Sequence, residues 1–558
     1  MNAEKLSVVH GPELSTEELG PLTLPGFLRE IAQRHGPREA LVFREGDAVL
    51  RLSYDELRRE AMRVARALVA TGVGKDARVG LLATNRPEWV IAMFGIALSG
   101  ATCVAVSSFA TPTELEQQLQ LADVGWFLFE RSVARRDFAE ELAALCPELR
   151  QCRAGELCSS RLPYLRYIAC IDSSVDVPGI DSWAEFLKRG DAIAPSLIDA
   201  IASQVAPSDH GMVFFSSGTT GKPKGILHTQ RAAAIQCWRW GRVFALDRDV
   251  RTWSANGFFW SGNFAMGIGA TLGVGGSLVL QRMFDSGEAL QLMQEEKVTL
   301  PLAWPHQWAR LTSEPAYAQT NLSALRYVGE ASPLRQHPTV KAEWNEPIAA
   351  FGNTEALTIF TAHASGTAPQ IREGNQGAAL PGVTVRIVDP VTGALLPRGQ
   401  SGEITTKGPT LMLGYLKVPP EQVFDADGFF HTGDAGFLDE AACLHWQGRM
   451  NDIIKTGGAN VSPLEVDAAL AEFPGVKLAR TVGVPHDTLG EMIVACVVPS
   501  AGAQLHEAPI REFVAKKLSS YKVPRRVLFV EEADIALTGS NKIKLASLRE
   551  LAAKRLAQ

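Results

Sequence analysis

Strand-like and helix-like runs alternate through residues 53–130, and this alternation limits the fold more than any other feature. Ser53 and Glu56 have the spacing of a capping box. Leu57, Ala61, Val64, Ala65 and Leu68 then share one apolar helical face that stops at Gly72. A strand over 78–84 follows, then a helix opened by Pro87, a strand over 102–106, a helix from about 111–112, and a strand over 126–130. This pattern predicts an α/β fold with a largely parallel sheet and helices on its faces. At 558 residues the chain exceeds one ordinary core, so at least two domains are expected. Residues 151–195 read as an irregular connection. From about residue 378 the texture turns β-rich, with short strands over 383–388, 402–406 and 444–447. The stretch after 448 reads as a small α+β domain, with strands over 482–484 and 493–498 and helices over 463–471 and 510–518.

Net charge is −6, which gives no basic groove and argues against a nucleic-acid partner. The cysteines form no C-x-x-C pair, and Cys146, Cys152, Cys158 and Cys170 lie too far apart for a zinc knuckle. Free thiols in a reducing, cytoplasmic setting are expected. The N-terminus has no apolar signal-peptide core. Residues 89–113 and 253–281 carry no charge. The first breaks at Ser99 and Gly100 and reads as a buried helix and a strand. The second has seven glycines between Gly257 and Gly276, which suit close packing or a substrate wall. No transmembrane segment is expected; peripheral membrane contact and a homodimer stay open.

The richest chemistry lies in Ser216-Ser217-Gly218-Thr219-Thr220-Gly221-Lys222-Pro223-Lys224-Gly225, which follows an apolar strand over 212–215. A polyphosphate needs donors at close range and a backbone that can approach it. Glycines give the approach; hydroxyls and lysines give donors and charge. A Walker A loop would need glycine where Ser216 stands and Ser or Thr where Pro223 stands. Pro223 also lacks an N–H and opposes the helix start that such a loop feeds.

This stretch resembles the signature loop of the adenylate-forming (AMP-binding) superfamily, which includes acyl-CoA synthetases, luciferases and peptide-synthetase adenylation domains. Further blocks resemble that family in its own order. The resemblance implies that Ser216, Ser217, Gly218, Thr219, Thr220, Gly221 and Lys224 bind ATP phosphates. Gly329-Glu330-Ala331-Ser332-Pro333 sits where relatives line the adenine, with Glu330 a departure. Phe351-Gly352-Asn353-Thr354-Glu355 matches an aromatic-Gly-x-Thr-Glu motif. There an aromatic ring can stack on adenine, Thr354 can bond the α-phosphate, and Glu355, with Thr220, can hold Mg2+. Ser401-Gly402-Glu403, Gly408-Pro409 and Met412-x-Gly414-Tyr415 match a further block, read as mainly structural. Phe430-His431-Thr432-Gly433-Asp434 implies Asp434 as the ribose ligand, since a carboxylate accepts two hydroxyls. Arg449 would reach ribose or phosphate.

The same resemblance implies an N-terminal AMP-binding and acyl domain over 1–447, a hinge over 448–452 with Asn451 at the pivot, and a mobile C-terminal lid over 453–558. Gly457 and Gly458 belong to a loop that lines the thiol tunnel in CoA ligases. Lys542 takes the place of the adenylation lysine, with Lys544 its rival; Asn541 and Ala536 replace a glycine and a proline of the motif. Phe259 or Trp260 would line and gate the acyl pocket, and His228 would face its entrance or the surface. The expected reaction is ATP-dependent ligation of a hydrophobic fatty, aryl or polycyclic acid to coenzyme A, through an acyl-adenylate. Transfer to a carrier-protein thiol or an amine, a luciferase-like oxygenase and a non-catalytic nucleotide binder are the alternatives.

Overall fold

The computed structural model describes residues 5–15, 19–46, 48–172, 175–217, 223–330, 332–344, 346, 349–456, 459–486, 489–518, 522–536 and 543–557. The chain divides into two compact units. The larger comprises residues 10–384 and 407–430; the smaller comprises 1–9, 385–406 and 431–558.

In the larger unit, α1 (Leu24–His35), β1 (Glu39–Glu45), β2 (Ala48–Ser53) and α2 (Tyr54–Ala70) come first, followed by β3 (Arg78–Leu82), α3 (Pro87–Leu98), β4 (Thr102–Ala105), α4 (Pro112–Leu121) and β5 (Trp126–Phe129). The predicted alternation is therefore present. The Ser53–Glu56 capping box forms in full at the start of α2. Proline occupies the first turn of α3, and every residue from Trp89 to Leu98 is buried. A helix apolar all round needs such a place inside the core. Among the described residues, no helix is long and apolar enough to cross a membrane.

β6 (Tyr167–Cys170), β7 (Asp181–Ser182), β8 (His210–Ser217) and β9 (Pro223–Thr229) complete an eight-stranded sheet in the order β7-β6-β5-β3-β4-β8-β9, closed by the Gly414–Tyr415 strand. Pairings from β7 to β8 are parallel; the last two are antiparallel. The stretch expected to be irregular thus supplies two sheet strands and the Trp183–Arg189 helix. The four residues of β6 are all buried, but so short a run carries no readable period.

α5 (Gln230–Val243) leads to a five-stranded sheet in which β10 (Arg251–Ser254), β11 (Ser277–Leu280) and β12 (Leu300–Leu302) are ordered β12-β10-β11-β1-β2. Leu28, Phe27, Phe94, Trp238 and Phe264 share the core cluster between these layers. Several glycines of 253–281 serve close packing: a Cβ on Gly269 would lie 2.6 Å from Cys237 Cα in α5, whereas Gly262 faces open space.

In the smaller unit, a five-stranded sheet runs in the order Val8–His10, Thr384–Val388, Gly402–Lys407, Phe430–Leu438, Leu444–Arg449. A second sheet contains Ile454–Thr456, Ala459–Val461, Val476–His486, Gly490–Pro499 and Arg526–Phe529. Helices Pro463–Ala471 and Glu507–Ala515 share a core with this sheet through Leu470, Ile493, Ile510 and Val514, and the Leu545–Leu556 helix through Leu548 and Ala552.

Candidate active site

The described ends of the glycine- and hydroxyl-rich stretch belong to two antiparallel strands. β8 and β9 pair with Ser216 opposite Lys224 and Ser217 opposite Pro223. Gly218, Thr219, Thr220 and Gly221 lie outside the described residues, and Ser217 is described in its backbone alone. Because Pro223 opens a strand rather than a helix, its missing N–H costs no helical bond. On its other edge β9 pairs with the Gly414–Tyr415 strand, placing Tyr415 opposite Ile226.

This register brings three polar side chains into line. Lys224 Nζ stands 4.8 Å from the centre of the Tyr415 ring. The Tyr415 hydroxyl donates to Glu355 Oε1 at 2.7 Å. The Met412 N–H donates to the Glu355 carbonyl at 2.7 Å. Tyr415, expected to be structural, therefore joins the phosphate-loop lysine to the acidic residue of the next motif. Only the tertiary pairing of strands far apart in sequence reveals this.

Phe351 is buried, with its ring edge-on to Phe360 at 5.1 Å between centres. Asn353 accepts the Ala356 N–H on its side chain, which bends the chain just after Thr354 and Glu355. Gly352 is required: a Cβ there would lie 1.7 Å from the Thr358 carbonyl oxygen. Thr354 and Glu355 are half-buried at this bend. Gly329 is buried and Glu330 is exposed, while Ala331 lies outside the described residues.

His228 is not at the surface. It is fully enclosed, because β9 is paired along both edges and its side chains enter the layers on either face. Its Nε2–H donates to the Thr354 carbonyl at 2.9 Å. Burial lowers its pKa from 6.5 to about 3, so the ring stays neutral. The unfolded chain takes up this proton first as pH falls. The stability contributed by the neutral ring is present above pH 6.5 and is lost toward pH 3. A glutamine can keep the bond to Thr354 without titrating. The urea midpoint of the wild type should therefore fall more steeply than that of His228→Gln between pH 6.5 and about 4.

Phe259 is buried, edge-on to Phe109 at 5.6 Å, and 5.2 Å from the partly exposed Trp260. A cleft of about 240 Å³ opens here, lined by Thr84, Ser108, Phe109, Phe259, Met283 and Arg310.

In the smaller unit, Asp434 and Arg449 face each other across a strand pair. Asp434 is buried; its Oδ1 accepts the Trp446 indole N–H at 3.1 Å, and its Oδ2 lies 3.2 Å from Arg449 Nη1. Arg449 Nη1 also donates to the Thr432 carbonyl at 2.8 Å. Glu403 braces the same strand, accepting the Gly433 N–H at 3.1 Å and contacting His431 Nδ1 at 2.7 Å. Two residues expected to meet the ribose thus hold one another. Asn451 lies in a short 3-10 turn, Met450–Asp452, and is described in its backbone alone. Gly457 and Gly458 lie outside the described residues, flanked by the paired Thr456 and Ala459. Lys542 also lies outside them; nearby, the Lys544 N–H donates to the Ala536 carbonyl at 2.8 Å.

An α/β framework thus sets a lysine–tyrosine–glutamate line beside the paired β8 and β9 strands that flank the glycine- and hydroxyl-rich stretch. The AMP-binding enzyme family model matches residues 28–416, and that of the AMP-binding enzyme C-terminal domain matches 465–542; the chain belongs to the AMP-binding enzyme family. It is an acid–thiol ligase. A methyl-dioxo-octahydro-indenyl-propanoyl:CoA ligase of Mycobacterium tuberculosis is 30% identical over 536 residues, covering 95% of this chain and 99% of that protein. A medium-chain acyl-CoA ligase of Danio rerio is 27% identical over 568 residues, covering 99% and 91%. Among solved structures, an anthranilate CoA ligase in complex with anthranoyl-AMP superposes with a TM-score of 0.76 at 25% identity, covering 98% of this chain and 100% of that one.

Proposed function

We propose that this ligase activates a hydrophobic carboxylic acid with ATP, releases pyrophosphate, and transfers the acyl group from the adenylate to the thiol of coenzyme A. The observation that carries the reading is the Lys224–Tyr415–Glu355 line beside the β8–β9 hairpin. Lys224 supplies positive charge to the phosphates, and the Thr354 hydroxyl bonds the α-phosphate as the carboxylate attacks phosphorus in line. Tyr415 fixes the Glu355 carboxylate through one oxygen. A single oriented carboxylate fits Mg2+, which takes one or two carboxylates and fills its shell with water and phosphate oxygens. Glu355, with Thr220, would hold that ion, which neutralises phosphate charge when bound. Asp434 and Arg449 take the ribose. The segment over 453–558 acts as a lid turning about Asn451, presenting Lys542 for adenylation and then Gly457 and Gly458 for thioester formation.

The acid is hydrophobic because Phe259 and Trp260, within the glycine-bearing segment proposed to line its pocket, cluster with Phe109. The acids named for the relatives, a medium-chain acyl group and an octahydro-indenyl propanoyl group, support this class. A panel of medium-chain, aryl and fused-ring acids, incubated with ATP and CoA, tests the proposal. One hydrophobic class should give both AMP and an acyl-CoA of the expected mass. Acid-dependent AMP without thioester overturns CoA as the acceptor. No acid-dependent AMP from any hydrophobic acid overturns the substrate class.

A further inference from the structure

Two residues of α5 reach the bend that carries Thr354 and Glu355. Gln236 is wholly buried, and its Nε2 donates to the Leu357 carbonyl at 2.6 Å and the Ile359 carbonyl at 3.2 Å. One helical turn on, the Trp240 indole N–H donates to Thr358 Oγ1 at 2.8 Å. The segment they grip has an uncommon backbone. Leu357 and Thr358 are consecutive non-glycine residues with positive φ, 49° and 94°. A β-branched residue at the second value is a steric outlier, and it persists only where its surroundings enforce it.

The enforcement is visible bond by bond. The Leu357 N–H donates to the Thr354 carbonyl at 3.0 Å, and the Thr358 N–H to the Asn353 carbonyl at 2.9 Å. The chain thus doubles back, and the Thr358 carbonyl packs against Gly352. This turn aims the Leu357 and Ile359 carbonyls inward, where Gln236 satisfies them. A buried carbonyl left without a donor is costly, so the turn and the glutamine require each other.

We infer that Gln236 and Trp240 are positioning residues for adenylation: they hold the strained 353–359 turn in the one shape that presents Thr354 and Glu355 to the nucleotide. The inference rests on the proposed nucleotide roles of those two residues. Neither α5 side chain touches a substrate in this scheme; each acts through the turn.

Trp240→Phe is the leading test. It removes the N–H and retains a ring against Phe244, whose centre lies 4.7 Å away. Acid-dependent ATP–pyrophosphate exchange should slow about tenfold in kcat, the effect of one lost hydrogen bond. KM for the acid should change less than about twofold, and thioester formation from supplied acyl-adenylate should keep its rate. Glycine adopts φ near 94° without strain, so it lifts the need for a latch at this position. Thr358→Gly and Trp240→Phe/Thr358→Gly should therefore run within about threefold of each other, both faster than Trp240→Phe. Gln236→Leu should slow adenylation more than Trp240→Phe. If it fails to fold, the Trp240 and Thr358 variants decide the matter alone. A wild-type exchange rate in Trp240→Phe, equal losses in both half-reactions, or no recovery on adding glycine overturns the positioning role. Glu355→Gln, assayed alongside, separates the two failures. Undiminished adenylation in that variant overturns the nucleotide reading. A slow Glu355→Gln with an unimpaired Trp240→Phe overturns only the latch.

Discussion

Replacing Lys542 with alanine is expected to slow acid-dependent pyrophosphate release by roughly two to three orders of magnitude. Thioester formation from a supplied acyl-adenylate should proceed at the wild-type rate. The asymmetry follows from the charge each step develops. Attack of a carboxylate on the α-phosphorus brings two anions together, and an ammonium bridging them stabilises the transition state more than the ground state. Attack of a thiolate on the acyl carbon expels AMP from a species already formed, after Lys542 has swung away in the proposed lid cycle. Lys544→Ala is the natural control. A selective adenylation defect there, with Lys542→Ala unimpaired, reassigns the ammonium to Lys544. Equal losses in both steps for Lys542→Ala refute a lid that serves them in turn.

Glu355→Gln should lower adenylation by about a hundredfold through loss of charge with little change of shape. A glutamine carbonyl can still accept the Tyr415 hydroxyl, and the Met412 N–H bonds the backbone carbonyl, which the substitution leaves in place. The turn over 353–359 is held by α5 and by its own backbone bonds. What changes is affinity for a divalent cation. The Mg2+ concentration for half-maximal pyrophosphate release should rise about tenfold or more. Full recovery at saturating Mg2+ assigns the defect to cation binding. A large rate loss with an unshifted Mg2+ titration removes Glu355 from the metal site.

The parts of this enzyme that could be read from its sequence are those whose chemistry is local. The stretch proposed to bind phosphate concentrates glycine, hydroxyl and lysine within ten consecutive residues, and the alternating elements before it repeat at a regular interval. Roles that depend on strand pairing could not be read. Tyr415 becomes a link between Lys224 and Glu355 only because β9 lies between β8 and the Gly414–Tyr415 strand. Gln236 and Trp240 look like ordinary helix residues until their partners, more than a hundred positions away, fold against them. His228 reads from sequence as facing a pocket entrance or the surface, and pairing on both edges of β9 rules out the surface by enclosing it. β6 and β7 were hidden by brevity: four and two residues carry too little pattern to stand out from a connection.

α5 has two working edges. Along one, Gln236 and Trp240 grip the turn before Phe360. Along the other, it nests against small residues: Gly269 lies under Cys237, and a Cβ on Gly241 would come within 2.6 Å of Val274. A larger residue at 269 or 241 would shift the helix, and the helix would drag the grip with it. Bulking up this neighbourhood should therefore leave an imprint on how well ATP is used, by way of the turn that α5 grips. A lineage whose sequence drifts here has to keep these tiny contacts, or repair the turn elsewhere.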